Sequence, residues 1–308
     1  MHSTHSNARR FGLHSLGCAV LILMIAAGCS KSSDGLKNPS ICVTIQPLAM
    51  VMREIVGTRL PVVCLLPPGV SPHTYDIRPS DAQTAENSKA LFYVDDSLDG
   101  WSAKLNAPEK VNVFSLVPDG LRRAMPEHGA LDDHDDHDHG PVDAHFWSDP
   151  TVVRALLPAL VEQLSALDPD GASEYGANAK RFERELETLD AELATMLKPL
   201  NGKSVVQFHP SLNYFLARYG LTPSAFVEPS PGKEASPKYL NGVIDAVKAS
   251  GAKAVFSEPQ LAKRPAEIVA EAAGVTVLEL DPNGGVDGRK TYAELLRYNA
   301  KTLLQAFE

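Results

Sequence analysis

Ser40-Ile-Cys-Val-Thr-Ile-Gln-Pro-Leu-Ala-Met-Val-Met-Arg-Glu-Ile-Val-Gly57 is followed, after Thr58 and Arg59, by Leu60-Pro-Val-Val-Cys-Leu-Leu66. Ile41 to Ile45 is a short apolar run rich in β-branched residues, which predicts a strand. From Pro47 to Gly57 the apolar residues Leu48, Val51, Met52 and Ile55 fall at helical spacing, and Leu60 to Leu66 is apolar again. Strand, helix, strand within one short stretch requires a parallel sheet covered by helices, so the fold class is α/β. The second strand runs into a Pro-rich loop, Pro67 to Asp81, that places His73 just past a strand end.

The same alternation continues along the chain. A helix is expected from Asp81 to Ser88, a third strand from Ala90 to Val94 and a fourth from Val111 to Leu116. Asp149 and Pro150 supply a cap and a first helical residue for a helix with Val153, Leu156, Leu157, Leu160 and Leu164 on one face; Pro158 should bend it. Asp168-Pro169 opens a second, unbroken helical run to Leu197, with Phe182, Leu186, Leu189, Leu193 and Leu197 in one stripe. Its length, roughly 40 Å, suits a helix that spans two lobes. After Asn201-Gly202 the alternation resumes. Strands at 203–208, 252–257 and 275–280 deliver His209, Glu258 and Asp281 at their carboxyl ends, and helices are expected at 211–219, 237–250, 265–273 and 291–307. Ligands of open parallel sheets bind beyond the carboxyl ends of the strands. The site therefore belongs in a cleft between two α/β lobes, at 40–167 and 199–308, with the linking helix at 168–198.

Residues 127–140, Glu-His-Gly-Ala-Leu-Asp-Asp-His-Asp-Asp-His-Asp-His-Gly, are the most biased stretch of the chain. Its imidazoles and carboxylates suit zinc or a neighbouring transition metal. Of the ten histidines, His2, His5 and His14 lie in a leader, and His128, His134, His137 and His139 lie in this stretch. A histidine metal site in the folded body would have to draw on His73, His145 and His209.

The leader has Arg9 and Arg10 ahead of the apolar run Leu16 to Ala27, which is shorter than the roughly 20 residues of a membrane span and suits a secretory signal. Ala26-Ala27-Gly28-Cys29 resembles the lipobox of bacterial lipoproteins. Residues 1–28 then read as a signal peptide, Cys29 as the lipidated residue and 29–39 as a tether; an ordinary cleaved signal is the alternative. The net charge is −9, and loss of the leader removes two arginines and no acid. So acidic a chain, without a basic stripe, excludes nucleic acid as partner and favours cations. Beyond the leader and Cys29, only Cys42 and Cys64 remain, read as buried thiols or one disulfide.

Five pieces in order carry a resemblance: Pro68-Gly-Val-Ser-Pro-His73-Thr-Tyr with Pro79-Ser-Asp81, Asp143-Ala-His145-Phe-Trp-Ser-Asp-Pro150, Phe208-His209 with Tyr214-Phe215, Ser257-Glu-Pro-Gln260 and Leu280-Asp-Pro282. Together they resemble the zinc and manganese type solute-binding proteins of bacterial ABC importers, over nearly all of the chain after the tether. The resemblance implies two lobes, each a four-stranded parallel sheet flanked by helices, joined by one rigid helix with the metal between them. It implies His73, His145, His209 and Asp281 as ligands, with Glu258 or water as alternatives to Asp281. Three imidazoles and one carboxylate favour zinc over manganese, which prefers more oxygen.

The implied partners are a divalent metal ion and the subunits of an ABC permease, with the membrane reached through the lipid anchor; a monomer is expected. The His-rich stretch either captures zinc weakly through His128, His134, His137 and His139 or is a solvated loop without a role. The resemblance implies binding rather than catalysis; against a hydrolase, no His-Glu-x-x-His motif occurs, and a fourth protein ligand would close the site. A zinc hydrolase with Glu258 as base and a surface adhesin are the alternatives from other classes.

Overall fold

The computed structural model describes residues 40–126 and 142–308. The leader, the tether, Cys29 and the His-rich stretch lie outside the described residues. The first lobe contains β1 (Ile41–Val43), α1 (Gln46–Val56), β2 (Val62–Cys64), α2 (Pro79–Asn87), β3 (Ala90–Tyr93), the single turn α3 (Asp96–Asp99) and β4 (Lys110–Asn112). Its strands are all parallel, in the order β2-β1-β3-β4. A two-stranded antiparallel ribbon, β5 (Arg123–Ala124) with β6 (Val142–Asp143), follows. β4 is shorter than expected: after Asn112 the chain tightens into a 3-10 turn, Phe114–Leu116, which tucks Phe114 into the core instead of extending the sheet.

α4 (Pro150–Leu167) starts where Asp149 accepts from the Thr151 backbone N–H, and it runs through Pro158 as one helix. The next helix does not begin at Asp168 as one continuous run. Pro169–Gly171 form a 3-10 turn, and α5 (Ala172–Leu197) follows with 26 residues. Asp168 is engaged elsewhere, accepting from the Arg59 guanidinium and from the Tyr175 hydroxyl, which ties the start of the linking helix to the first lobe. Tyr175, Ala179, Phe182, Leu186, Leu189, Leu193 and Leu197 form the buried stripe of α5.

The second lobe holds β7 (Ser204–Gln207), α6 (Asn213–Arg218), β8 (Thr222–Phe226), α7 (Pro237–Ser250), β9 (Ala254–Ser257), α8 (Arg264–Ala273), β10 (Thr276–Glu279) and α9 (Tyr292–Gln305). Its parallel order is β10-β9-β7-β8. Reading the residues gave three of these strands. β8 escapes because Pro223 and Ser224 interrupt its apolar pattern; it is an edge strand, where a missing N–H is tolerated, and its register against β7 shifts beside Pro223.

One buried apolar cluster runs from Ile41 and α1 through α4 and α5 to Leu212, Phe215, Leu280 and Leu303. The two lobes therefore share a core along the linking helix. Cys42 and Cys64 are both free thiols. Val43, not Cys42, stands opposite Cys64 in the parallel register, so alternation sends the two sulfurs to opposite faces of the sheet. Burial pushes both thiols up to about 12. No helix among the described residues is long and apolar enough to cross a membrane.

Candidate metal centre

His73 sits in the loop after β2, and the backbone on either side of it is fastened. The Trp101 indole donates to the Pro72 carbonyl at 2.8 Å, and the Tyr75 ring stands edge-on to Trp101 while its hydroxyl donates to Asp81 at 2.5 Å. Asp81 also accepts from the Arg78 N–H, so one carboxylate both starts α2 and steadies the loop that carries His73.

His145 follows β6 and is buried, 2% exposed. Both its backbone N–H and its Nδ1 lie on Asp143 Oδ1, at 2.9 and 2.7 Å. A carboxylate only accepts, so Nδ1 carries the proton and Nε2 offers its lone pair. His209 follows β7, equally buried, with Nδ1 3.2 Å from the Pro229 carbonyl oxygen. That acceptor fixes the same tautomer. Two of the three rings are thus set to present Nε2 to a common point.

That point exists. One ligand nitrogen from each of His73, His145 and His209 lies within 4.8 Å of the others, and the Nε2 atoms of His73 and His145 are 3.3 Å apart. Two nitrogens bound at about 2.0–2.1 Å to one tetrahedral ion stand roughly 3.3 Å apart, so the spacing fits a shared ion. The rings border a small cavity with Ser211, Glu258, Gln260 and Asn283.

The carboxylates are arranged less simply. Asp281 does not join the group of three. Its Oδ1 accepts from Gln260 Nε2 at 2.7 Å and from the backbone N–H groups of Asn283 and Gly284, and its Oδ2 lies 3.0 Å from Arg289. Its backbone is clamped by Asn299, which accepts from the Asp281 N–H and donates to the Asp281 carbonyl. Glu258, in contrast, borders the cavity, accepts from the Ser211 hydroxyl at 2.7 Å, and is pushed up to about 8 by burial. Burial therefore favours its protonated form. Trp147, Tyr214 and Phe215 are buried in the core. Sequence reasoning missed Asp143 as the partner of His145; its place two residues before a histidine was the available signal.

The family model for the periplasmic zinc-uptake complex component A matches residues 41–306. The chain belongs to this zinc-uptake family. Its members are solute-binding proteins rather than enzymes, so a hydrolase built on Glu258 is set aside. The high-affinity zinc uptake system protein ZnuA of Yersinia pestis is 31% identical over 270 residues, covering 81% of this chain and 84% of that protein. A crystal structure of ZnuA superposes with a TM-score of 0.75 at 26% identity, over 88% of this chain and 99% of that one. The laminin-binding protein Lmb of Streptococcus agalactiae, described as bifunctional with adhesin and metal-transporting activity, gives a TM-score of 0.75 at 25% identity, over 88% of this chain and all of that one.

Proposed function

We propose that this protein captures one zinc ion outside the cytoplasm and delivers it to an ABC permease, anchored to the membrane through lipid on Cys29. The observation that carries the reading is the convergence of three ring nitrogens from distant segments on one buried point between the lobes. Three imidazoles, two of them with Nδ1 committed to protein acceptors, form a nitrogen-rich set that suits zinc better than manganese. His73, His145 and His209 hold the ion. Asp281, to become the fourth ligand, would have to exchange Arg289 for the metal; Glu258 already borders the cavity and would have to lose its proton. Gel-filtered Asp281→Asn and Glu258→Gln variants, titrated with zinc against a chelator, separate the two: the true ligand's loss weakens binding and the other's does not.

His128, His134, His137 and His139 lie outside the described residues, and their role as an auxiliary capture site remains a proposal beside that of a solvated loop. Deleting 134–139 leaves the tight site intact on this account. The function as a whole is tested by competition titration of the purified mature protein with zinc and manganese. One tight equivalent of zinc that a comparable excess of manganese does not displace supports it. Manganese bound more tightly than zinc would overturn the choice of metal, and laminin binding independent of any metal would favour adhesion.

A further inference from the structure

A buried chain of polar side chains crosses from one lobe to the other behind the metal centre. It begins at the backbone N–H of Leu212, which donates to Gln207 Oε1 at 3.1 Å and so fixes which way that amide faces. Gln207 Nε2 then donates to Asn213 Oδ1 at 2.9 Å. With its oxygen committed, Asn213 turns Nδ2 toward Asp143 Oδ2 at 3.1 Å and the Pro210 carbonyl at 2.8 Å. Asp143 is left to accept from His145 through Oδ1. Every side chain in the run is buried: Gln207 and His145 are 2% exposed, Asn213 7% and Asp143 0%. Tyr214, next to Asn213, donates to the Asp143 carbonyl at 3.0 Å and holds the same residue from its backbone side.

The polarity of each link is set by the one before it, and the chain joins two ligand segments. Gln207 ends β7, two residues before His209, and Asp143 ends β6, two residues before His145. We infer that Asn213 and Gln207 are positioning residues that set the aim of His145 relative to His209, and through it the preference for an ion with short metal–nitrogen bonds. Neither belongs to the cluster of three rings. A buried carboxylate with one oxygen left unsatisfied would rotate or recruit water, and the imidazole it orients would move with it. This inference rests on the zinc-binding reading above.

The test compares the full chain with Asn213→Ala and Gln207→Met. The second keeps the length of the side chain but can neither accept from Leu212 nor donate to Asn213, so nothing commits the Asn213 oxygen and its amide is free to turn away from Asp143. Zinc and manganese affinities are measured by chelator competition, and the Nδ1–H resonance of His145 is followed by NMR in metal-stripped protein with 15N-labelled histidine. In both variants we expect zinc affinity to fall about 10- to 100-fold, the ratio of zinc to manganese affinity to narrow, and the His145 Nδ1–H resonance to broaden or vanish. Folded variants with wild-type affinity ratio and resonance overturn the inference, as does a loss of affinity with the resonance unchanged. If both variants unfold, the pair is structural only and the assignment fails. A wild-type chain that binds no zinc tightly instead overturns the proposed function, and the inference with it.

Discussion

Glu258 is a carboxyl whose behaviour follows from its surroundings. An unfolded glutamate titrates near 4.3, whereas burial pushes Glu258 up to about 8. Between those values the folded chain holds a proton that the unfolded chain has lost, so this group makes stability fall as pH rises from about 4.5 to 8. In metal-stripped protein, urea midpoints recorded across that range should decline less steeply for Glu258→Gln than for the wild type; equal slopes would show that the carboxyl ionises as freely in the fold as in water. At this scale the sequence displayed the three histidines by subtraction alone, because each lies outside both the leader and the biased stretch. It displayed the carboxylates poorly. Glu258 and Asp281 both follow strands, and nothing in residue type says that Arg289 and Gln260 lie against Asp281 while Ser211 lies against Glu258.

Among the elements, the segment between β8 and α7 closes over the centre from the second lobe. It supplies the Pro229 carbonyl that sets the His209 tautomer, and Glu228 accepts from the Gly232 N–H at 2.7 Å. Gly232 has φ of +81°, and a Cβ there would stand 2.7 Å from Thr74 Cγ2, beside His73. Gly232→Ala should therefore cost about 1–2 kcal/mol from the backbone conformation alone, with a further steric loss against Thr74. Adding Thr74→Ser removes the clashing methyl and should restore only the steric part in urea unfolding; no restoration would mean the loop does not meet Thr74 in solution. Strands and helices with clean periodicity were legible from the residues, among them β1, β2, α1, α4 and the stripe of α5. The place of β4 was legible but not its extent, since a turn at Phe114 ends it early, and β8 was not legible at all, since a proline in an edge strand breaks the pattern that identifies a strand.

For the whole molecule, the decisive feature is that one buried apolar cluster runs through both lobes. The cluster that contains Ile41 and Met52 continues along α5 to Phe215 and Leu303. Trp147 donates to the Pro282 carbonyl at 2.8 Å, and Tyr292 donates back to the Trp147 carbonyl at 2.6 Å. Arg218 pairs with Asp190, and Arg297 with Glu192, fixing α6 and α9 to the linking helix. A wide hinge opening would expose this apolar surface, so metal entry should proceed by local movement of loops. Small-angle scattering should give the same radius of gyration with and without zinc, whereas a contraction beyond error on loading would indicate hinge closure.

The central claim is that one ion is held by rings from three distant segments. Diffraction from zinc-soaked crystals of the mature protein, with anomalous data on either side of the zinc edge, tests it directly. A single strong peak with ring nitrogens of His73, His145 and His209 at about 2.0–2.1 Å is the expected result. A principal zinc peak held elsewhere, with no ion among these three rings, would contradict it.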